Sequence, residues 1–510
     1  MTKIWGTYSA VCESVVTVRR SARLLDDCSK PGRSLEPLNK RDALLAELPP
    51  ALRDRIRVRG EKGYEEARVG RVFNARRPDR FPIAVLFAQS DQDAIAGVRL
   101  AAKIGVTVSI RSGGHSWAAW SVRENALLID LGGMGEKSLD LENKIATVNP
   151  GVSGGELNPF LKPYGLFFPG GHCPDVGLGG FLLQGGMGWN ARGWGWACEQ
   201  IVGIDVVTAE GNLVHADGSH HSDLFWAACG AGPGFFGVVV RFYLRVRPLA
   251  RALTRSTYIY PMEAYDEVMP WIHNLHGKIA GSVETVVIGM QVPISQEIQQ
   301  SQHSTVVHSL VVHALCFADS EEEAREALAP FESCPAIDRA LVRDAFLPTS
   351  VEEMYDEQRR ENPSGDRYAA DNLWTNAPAE AAVPAIRKTF FTMPTPRTFL
   401  VWFSMAPLRP LPDMALSLQS DIYFAIYTIW QNERDDARCR QWLLEQMKSM
   451  EPISDGLYLG DSDFTTRTAK FVSDESWKRL GEIRAKYDPR GLFESYLANE
   501  SAVLNKNSTV

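Results

Sequence analysis

Residues 111–117 read RSGGHSW, and residues 170–180 read GGHCPDVGLGG. Each stretch places one nucleophilic side chain, His115 in the first and Cys173 in the second, inside a run of glycines. Glycine lacks a side chain and tolerates positive φ, so such runs let main-chain N–H groups approach a ligand closely and bind phosphate. The two stretches therefore predict a ligand-binding site with two reactive side chains rather than a set of tight turns.

The composition predicts a soluble globular protein with more than one domain. The chain has 510 residues, whereas a single hydrophobic core stops growing at about 250–300. A formal net charge of −8 argues against nucleic acid as a partner. No apolar run reaches the roughly 18 residues of a membrane span, and the first residues lack an apolar secretory segment. We therefore expect a cytoplasmic protein without a membrane partner. Eight cysteines without a CxxC pair favour reduced thiols, and we assign no metal site.

The periodicity of apolar residues predicts an α+β fold. Up to Pro248, short strands such as VTVSIRSG at 106–113 alternate with helices such as SDQDAIAGVRLAAKIG at 90–105. After Pro248, alternating strands such as TVVIGMQVPI at 285–294 are separated by acidic helical stretches, which favours an antiparallel sheet with helices on one side. The predicted divisions are a loosely structured lead-in over 1–75 with a short helix around Leu44–Arg57, a first domain over 76–250, a second over 251–454 and a terminal segment over 455–510.

Two other glycine motifs define alternatives. The Rossmann fingerprint fails, because Gly177 and Gly179 would need a third glycine at the position of Leu182. The segment GVSGG at 151–155 does match G-x-S-x-G, so a serine hydrolase with Ser153 as its nucleophile is one alternative. A flavin- or nucleotide-binding module without catalysis is another.

Four segments carry a family resemblance. VSIRSGGHSWAAWSVRENALLIDLGGM at 108–134 and PGGHCPDVGLGGFLLQGGMGWNARGWG at 169–195 resemble the two flavin segments of the FAD-linked oxidases of the vanillyl-alcohol oxidase superfamily, in the berberine-bridge-enzyme-like and oligosaccharide-oxidase branch. SDLFWAACGAGPGFFGVVV at 222–240 and AKYDPRGLFE at 485–494 are similar to later segments of that branch. The resemblance implies a two-part FAD-binding domain of the PCMH type over 76–250, a substrate domain over 251–454 and a C-terminal return to the FAD domain over 455–510.

The resemblance also implies a covalently held cofactor. In this family the histidine of R-S-G-G-H is bonded to the flavin 8α-methyl group and the cysteine of G-x-C-P-x-V-G to C6, which would make His115 and Cys173 two anchors of one FAD. Further flavin contacts are implied for Arg111, Ser112, Gly113, Gly114 and Ser116 around the pyrophosphate, for Val176, Gly177, Gly179, Gly180 and Gly186 along the ring and ribityl chain, and for Val238 and Val239 near the adenine or pyrophosphate.

The catalytic base has four candidates. The family motif Y-x-N-Y-x-D corresponds here to YLGDSD at 458–463, where Tyr458 is retained but Asp461 stands in place of the second tyrosine. The base is therefore Asp461, or one of Tyr458, Tyr423 and Tyr427 acts instead.

The expected reaction is the oxidation of a small molecule. Hydride would leave a C–H bond next to an alcohol or amine for flavin N5, while a base removes the O–H or N–H proton. We expect a small aromatic, heterocyclic or polyketide-like substrate, with O2 or another acceptor taking the electrons. An oligosaccharide or sugar oxidase of the same fold is the alternative, and the oligomeric state is left open.

Overall fold

The computed structural model describes residues 36–294, 305–464 and 467–497. Within these ranges, three sheets of four or more strands form the framework, and helices cover them. The arrangement confirms the predicted α+β class. Two of the sheets lie in the first half of the chain and the largest lies in the second half.

The first sheet has the strand order β1-β2-β4-β3. Its strands are β1 (Ile56–Val58), β2 (Ala84–Phe87), β3 (Val108–Arg111) and β4 (Leu127–Asp130). Strands β2, β4 and β3 are parallel, and β1 pairs with β2 in the antiparallel sense. The loop that carries RSGGHSW leaves β3 at its carboxyl end, which is where parallel sheets place their ligand sites.

Three helices belong to this part of the chain, and the third of them fixes β3. They are α1 (Glu36–Glu47), α2 (Tyr64–Val69) and α3 (Asp91–Ile104). The Ser90 side chain accepts a hydrogen bond from the N–H of Asp93 at the start of α3, and Gly105 ends the helix with a φ of 68°. Helix α3 connects β2 to β3, and its Gly97 allows close packing on Leu86.

The second sheet is entirely antiparallel, with the order β5-β6-β10-β8-β9. Its strands are β5 (Lys137–Asp140), β6 (Ile145–Val148), β8 (Ile201–Val207), β9 (Leu213–Asp217) and β10 (Val238–Arg245), while β7 (Leu166–Phe167) pairs with β11 (Arg247–Pro248). Helices in this region are α4 (Gly154–Leu161), α5 (Leu178–Leu183), α6 (Ala191–Trp194) and α7 (Ser222–Ala228). The second glycine-rich stretch leads directly into α5.

The third sheet has seven antiparallel strands in the order β15-β12-β14-β13-β17-β18-β16. The strands are β12 (Ala252–Pro261), β13 (Val283–Ile294), β14 (Thr305–Ala318), β15 (Val342–Pro348), β16 (Arg367–Thr375), β17 (Phe399–Ser404) and β18 (Ile422–Trp430). The remaining helices are α8 (Tyr265–Leu275), α9 (Glu321–Leu328), α10 (Val351–Glu361), α11 (Ala379–Phe391), α12 (Asp436–Ser449) and α13 (Asp474–Tyr487).

The two faces of the third sheet have different partners because side chains alternate along each strand. Val287, Leu400 and Phe424 lie in one core with helices α8, α9, α11 and α12, as predicted for helices on one side. Phe403 and Tyr423 lie in the core of the first half of the chain. The third sheet therefore presents its second face to the glycine-rich loops.

The end of the described chain returns to the first sheet. The N–H of Val108 donates to the carbonyl of Leu492 at 2.7 Å, and the N–H of Glu494 donates to the carbonyl of Val108 at 2.9 Å. Residues 492–494 thus lie beside β3. The boundaries at 76–250, 251–454 and 455–510 stay predictions, and residues 498–510 lie outside the described residues.

The prediction that the lead-in over 1–75 is loosely structured is wrong for β1, which belongs to the first sheet. Residues 1–35 lie outside the described residues, but β1 is an edge strand of the first sheet, with Ile56 and Val58 buried and Arg57 between them partly exposed. The helix predicted around Leu44–Arg57 begins earlier and ends at Glu47, because Pro49 and Pro50 interrupt it and a short 3₁₀ helix follows. A three-residue strand in an Arg-rich segment gives too little alternation to be recognised.

Candidate active site

A cavity of about 810 Å³ lies between the two glycine-rich loops and the third sheet. Most residues predicted for the site line it together. They are Arg111, Ser112, Gly113, Gly114, His115, Ser116, Cys173, Val176, Gly177, Gly179, Gly180, Val239, Tyr423, Tyr427, Tyr458 and Asp461.

The glycine loops form a cradle of free main-chain donors. Among the described residues, no acceptor receives a hydrogen bond from the main-chain N–H groups of residues 113–116. A Cβ atom at Gly113 would lie 2.6 Å from the main-chain nitrogen of Gly177, so the two loops touch where neither has a side chain. Gly114 has a φ of 90°, which favours glycine at that position. Four adjacent unpaired N–H groups at a cavity wall suit an anion such as a pyrophosphate.

Two predicted contacts differ from expectation. Val238 and Gly186 do not line the cavity. Val238 is fully buried, and since side chains alternate along β10, its neighbour Val239 faces the cavity instead. Gly186 is covered by Phe181 and Ala197, and its N–H donates to the Tyr458 hydroxyl at 3.2 Å. The Arg111 guanidinium binds Asp130 at 2.6 Å, so its charge is neutralised within the protein.

His115 is held between an aromatic ring and a carboxylate. The Phe73 ring stacks on the imidazole with ring centroids 4.3 Å apart. The Nε2 atom lies 2.9 Å from Oδ2 of Asp175, although that contact is not aligned as a hydrogen bond. Asp175 is two residues beyond Cys173, so the second loop reaches the histidine of the first. Contacts within the protein therefore define the orientation of the imidazole.

Cys173 is a partly buried free thiol in the cavity wall. Burial raises the pKa of the Cys173 thiol, and the carboxylates of Asp175 and Asp461 raise it further. The thiol is therefore protonated near neutral pH. Because the thiolate is the nucleophilic form, any bond from this sulfur requires removal of its proton as the bond forms.

Asp461 is the centre of a hydrogen-bonded aromatic group. Trp117 Nε1 donates to Oδ1 at 3.0 Å, and the Tyr423 hydroxyl donates to Oδ2 at 2.8 Å. Burial raises the pKa of Tyr423 and of Tyr427, and the Asp461 carboxylate raises both further. The two phenols therefore stay protonated and act as donors, while Asp461 is the acceptor of the group.

Tyr458 occupies a structural position in the same wall. Its hydroxyl accepts hydrogen bonds from the N–H groups of Gly186 and Met187 at 3.2 and 3.3 Å. Burial raises the pKa of Tyr458, with a further contribution from Asp461. This phenol joins the C-terminal segment to the glycine-rich region, and its geometry suits a base less well than that of Asp461.

Two functional contacts were not predicted. Trp117 belongs to the RSGGHSW motif, but its contact with Asp461 spans 344 residues of sequence. His172 Nε2 lies 2.9 Å from Oε1 of Glu284, and both residues line the cavity. Burial opposes protonation of His172, but the Glu284 carboxylate outweighs it and raises the pKa of the imidazole. The position of His172 next to Cys173 was the one available sequence signal.

Ser153 has a local structural role. It precedes α4, and its hydroxyl lies 3.0 Å from Oε2 of Glu156, whose carboxylate also accepts the N–H of Ser153 at 2.9 Å. Both hydrogen bonds run from Ser153 to the Glu156 carboxylate, which folds back on the residue before the helix as in a capping box. The G-x-S-x-G match is thus explained by helix capping.

Glu361 gives the cavity a pH-sensitive wall. Burial raises the pKa of Glu361 to about 7, and Glu357 adds to the shift. An unfolded glutamate titrates near pH ~4.3, so the folded protein binds more protons between about pH 4.3 and 7. The contribution of protonated Glu361 to the free energy of unfolding is fully present below about pH 4.3. This contribution is lost as the pH rises through about 7.

We therefore expect Glu361→Gln to be more stable than the unsubstituted protein at pH 8 and equally stable at pH 4. Thermal unfolding at both pH values measures the difference, with the exposed Glu142→Gln as the matched control. An equal change in melting temperature at the two pH values would contradict the assignment.

The described residues contain no helix long and apolar enough to cross a bilayer.

Sequence comparisons show the family of the chain, and structure comparisons show a similar fold. A family model described as FAD binding domain matches residues 82–217. The chain is 38% identical over 428 residues to the FAD-linked oxidoreductase nodO of Hypoxylon pulicicidum, covering 84% of this chain and 93% of that protein. BBE-like 1 of Physcomitrella patens has a similar fold, with a TM-score of 0.74, 19% identity and coverage of 89% and 98%. So does 6-hydroxy-D-nicotine oxidase of Arthrobacter nicotinovorans, with a TM-score of 0.75, 19% identity and coverage of 88% and 98%.

The residues of the cavity fit FAD. The N–H groups of residues 113–116, which bind no acceptor in the described part of the chain, suit its pyrophosphate, and Gly113 and Gly177 meet where neither has a side chain. The match to nodO makes the protein an oxidoreductase, which displaces the hydrolase and the inert binding module. The chain belongs to the FAD-linked oxidoreductases and has a fold similar to that of BBE-like 1.

Proposed function

We propose that the protein oxidises a C–H bond next to an alcohol or amine in a small aromatic, heterocyclic or polyketide-like molecule. In this proposal FAD is held covalently by His115 and Cys173, and O2 takes the electrons. The observation that carries the proposal is that His115, Cys173 and the Asp461 group face one cavity. Bound FAD supplies the hydride acceptor, N5 of its ring.

Asp461 is the proposed base. Its two oxygens accept hydrogen bonds from Trp117 and Tyr423, which fix the carboxylate in one orientation. Each carboxylate oxygen has a second lone pair, so Asp461 can still accept a substrate O–H or N–H. The protonated phenols of Tyr423 and Tyr427 stabilise the carboxylate before transfer and solvate the substrate oxygen or nitrogen after it.

The side chains of the third sheet that line the cavity favour an apolar substrate. Its cavity-lining residues include an apolar group on neighbouring strands, made of Val286, Ile288, Met290, Val311, Leu315, Phe399, Val401 and Phe403. The same sheet also contributes the polar residues Arg255, Thr257, Glu284, Gln291, His313 and Asp344, which are fewer. An apolar ligand that packs against such a wall is stabilised by about 25 cal/mol for each Å² of apolar surface removed from water. A sugar needs hydrogen-bonding partners on most of its ring, so this wall favours the aromatic or polyketide-like class over the sugar alternative.

Two attachment points suit such a wide cavity. His115 and Cys173 lie on separate loops, so each would hold the flavin from a different segment of the chain. With the ring anchored by bonds, the cavity does not need to enclose it completely in order to retain it. This leaves room for a bulky substrate against the third sheet.

Anaerobic flavin bleaching tests the proposal. The purified protein is mixed without oxygen with panels of phenolic or polycyclic alcohols, N-heterocyclic amines and sugars, and absorbance near 450 nm is followed. We expect bleaching by members of the first two panels and recovery of the yellow colour when air is admitted. Bleaching by sugars alone would replace the proposed substrate class, and failure to recover in air would replace O2 by another acceptor.

A further inference from the structure

We propose that Asp175 is a positioning residue for the bond between His115 and the flavin, aligning the imidazole so that its Nδ1 atom forms that bond. The inference rests on the covalent attachment proposed above. It assigns a role to a residue of the second glycine-rich loop that neither binds substrate nor takes part in its oxidation.

The position of Asp175 distinguishes the two nitrogen atoms of the His115 imidazole. Oδ2 of Asp175 lies 2.9 Å from Nε2 of His115, and Nε2 has no aligned hydrogen bond to any described residue. The carboxylate therefore occupies the Nε2 side of the imidazole. Nδ1, at the other edge of the ring, is the atom left for a bond to a ligand in the cavity.

The rest of the ring is already constrained. The imidazole side chain is 16% exposed, and Phe73 stacks on its face with an interplanar angle of 22°. The main-chain N–H of Phe73 donates to the carbonyl of Gly114 at 3.0 Å, which ties the stacking residue to the histidine loop. Asp175 is 63% exposed, so its side chain is free to turn until the carboxylate lies in line with the Nε2–H bond.

The charge of Asp175 suits the role. Partial burial opposes its ionisation, but the contact with His115 outweighs this and lowers the pKa of the carboxyl. A carboxylate that accepts the N–H of one imidazole nitrogen fixes the tautomer and stabilises the positive charge that develops when the other nitrogen attacks. Asp175 would do this for a step performed once in the lifetime of the protein.

The attachment balances as a two-electron oxidation. The C–N bond to the 8α carbon replaces one C–H bond of the methyl group and the N–H bond of the imidazole. The two electrons and two protons released in this way reduce the flavin, and O2 then takes them as H2O2. Asp175 holds the imidazole proton while the bond forms, and the carboxylate is regenerated when that proton is lost.

The test follows flavin attachment directly. Full-length apoprotein, produced under riboflavin limitation, is mixed with FAD in air at pH 7, and the tryptic peptide 112–123, which contains His115, is weighed over time. A Cys173→Ser background confines attachment to the histidine. We expect Asp175→Asn and Asp175→Ala to slow the gain of flavin mass at least tenfold, with Asp175→Glu partly restoring it and exposed Asp338→Asn matching the parent.

Chemical rescue separates positioning from loop structure. Added sodium formate should accelerate attachment in Asp175→Ala several-fold, while sodium chloride at equal ionic strength should not. An unchanged rate in Asp175→Asn, or a slow Asp175→Ala that neither formate nor Asp175→Glu restores, would overturn the inference and leave the covalent flavin intact. If His115 gains no flavin in the protein with native Asp175 and Cys173, the attachment proposal falls as well.

Discussion

Asp461→Asn is expected to slow substrate-dependent bleaching of the flavin by about 10²–10⁴-fold, the usual contribution of a positioned general base. Asparagine keeps the shape of the side chain and can still accept the Tyr423 hydrogen bond, but it cannot take a proton. Flavin content should stay unchanged, because neither hydrogen bond of Asp461 goes to His115 or Cys173. Stopped-flow absorbance under anaerobic conditions, with a substrate found by the bleaching panel, measures the rate.

Neighbouring variants show whether the effect belongs to the base. Tyr423→Phe removes one of the two donors to Asp461 and should cause a smaller loss, since Trp117 still orients the carboxylate. The exposed Asp338→Asn should reduce flavin at the original rate. A normal rate in Asp461→Asn, together with a large loss in Tyr423→Phe or Tyr427→Phe, would transfer the role of base to a tyrosine.

His115→Ala combined with Cys173→Ala is expected to abolish covalent flavin, whereas each single variant keeps part of it. In the unsubstituted protein, one flavin should join peptide 112–123 to peptide 145–192, because trypsin does not cleave between Lys162 and Pro163. Each single substitution should reduce this joined species to one flavin-bearing peptide. Acid precipitation followed by mass spectrometry of the digest distinguishes the three forms.

The paired single variants also test independence. Complete loss of flavin from Cys173→Ala alone would show that the two bonds do not form separately. A double variant that remains yellow after acid precipitation would place the attachment on another residue. Cys198→Ala is a suitable control, since this buried cysteine does not line the cavity.

The sequence could predict much of the fold and the two loops, because local chemistry decides both. Alternating strands and the helix over Asp91–Ile104 follow from periodicity and capping, and the glycine runs identify a ligand cradle around His115 and Cys173. The sequence did not show which side chains of a strand face the cavity. Val238 and Val239 are equivalent in a run of valines, and the packing of β10 alone determines which of them faces the cavity.

Contacts between distant segments were beyond prediction. Trp117 meets Asp461 across 344 residues of sequence, and His172 meets Glu284 on the opposite wall. Neither pair has a local signal, since both depend on how the third sheet packs on the loops. The short strand Ile56–Val58 was missed for a related reason, because three residues acquire their structure from the neighbour with which they pair.

The pairing of residues 492–494 with β3 has a consequence for biogenesis. The strand that leads into the histidine loop has residues 492–494 as its outer neighbour, and Asp461 also lies far along the chain from that loop. A nascent chain that ends before residue 461 lacks both, even when the whole glycine-rich region has emerged. Capture of the coenzyme is therefore expected only after synthesis has passed residue 494.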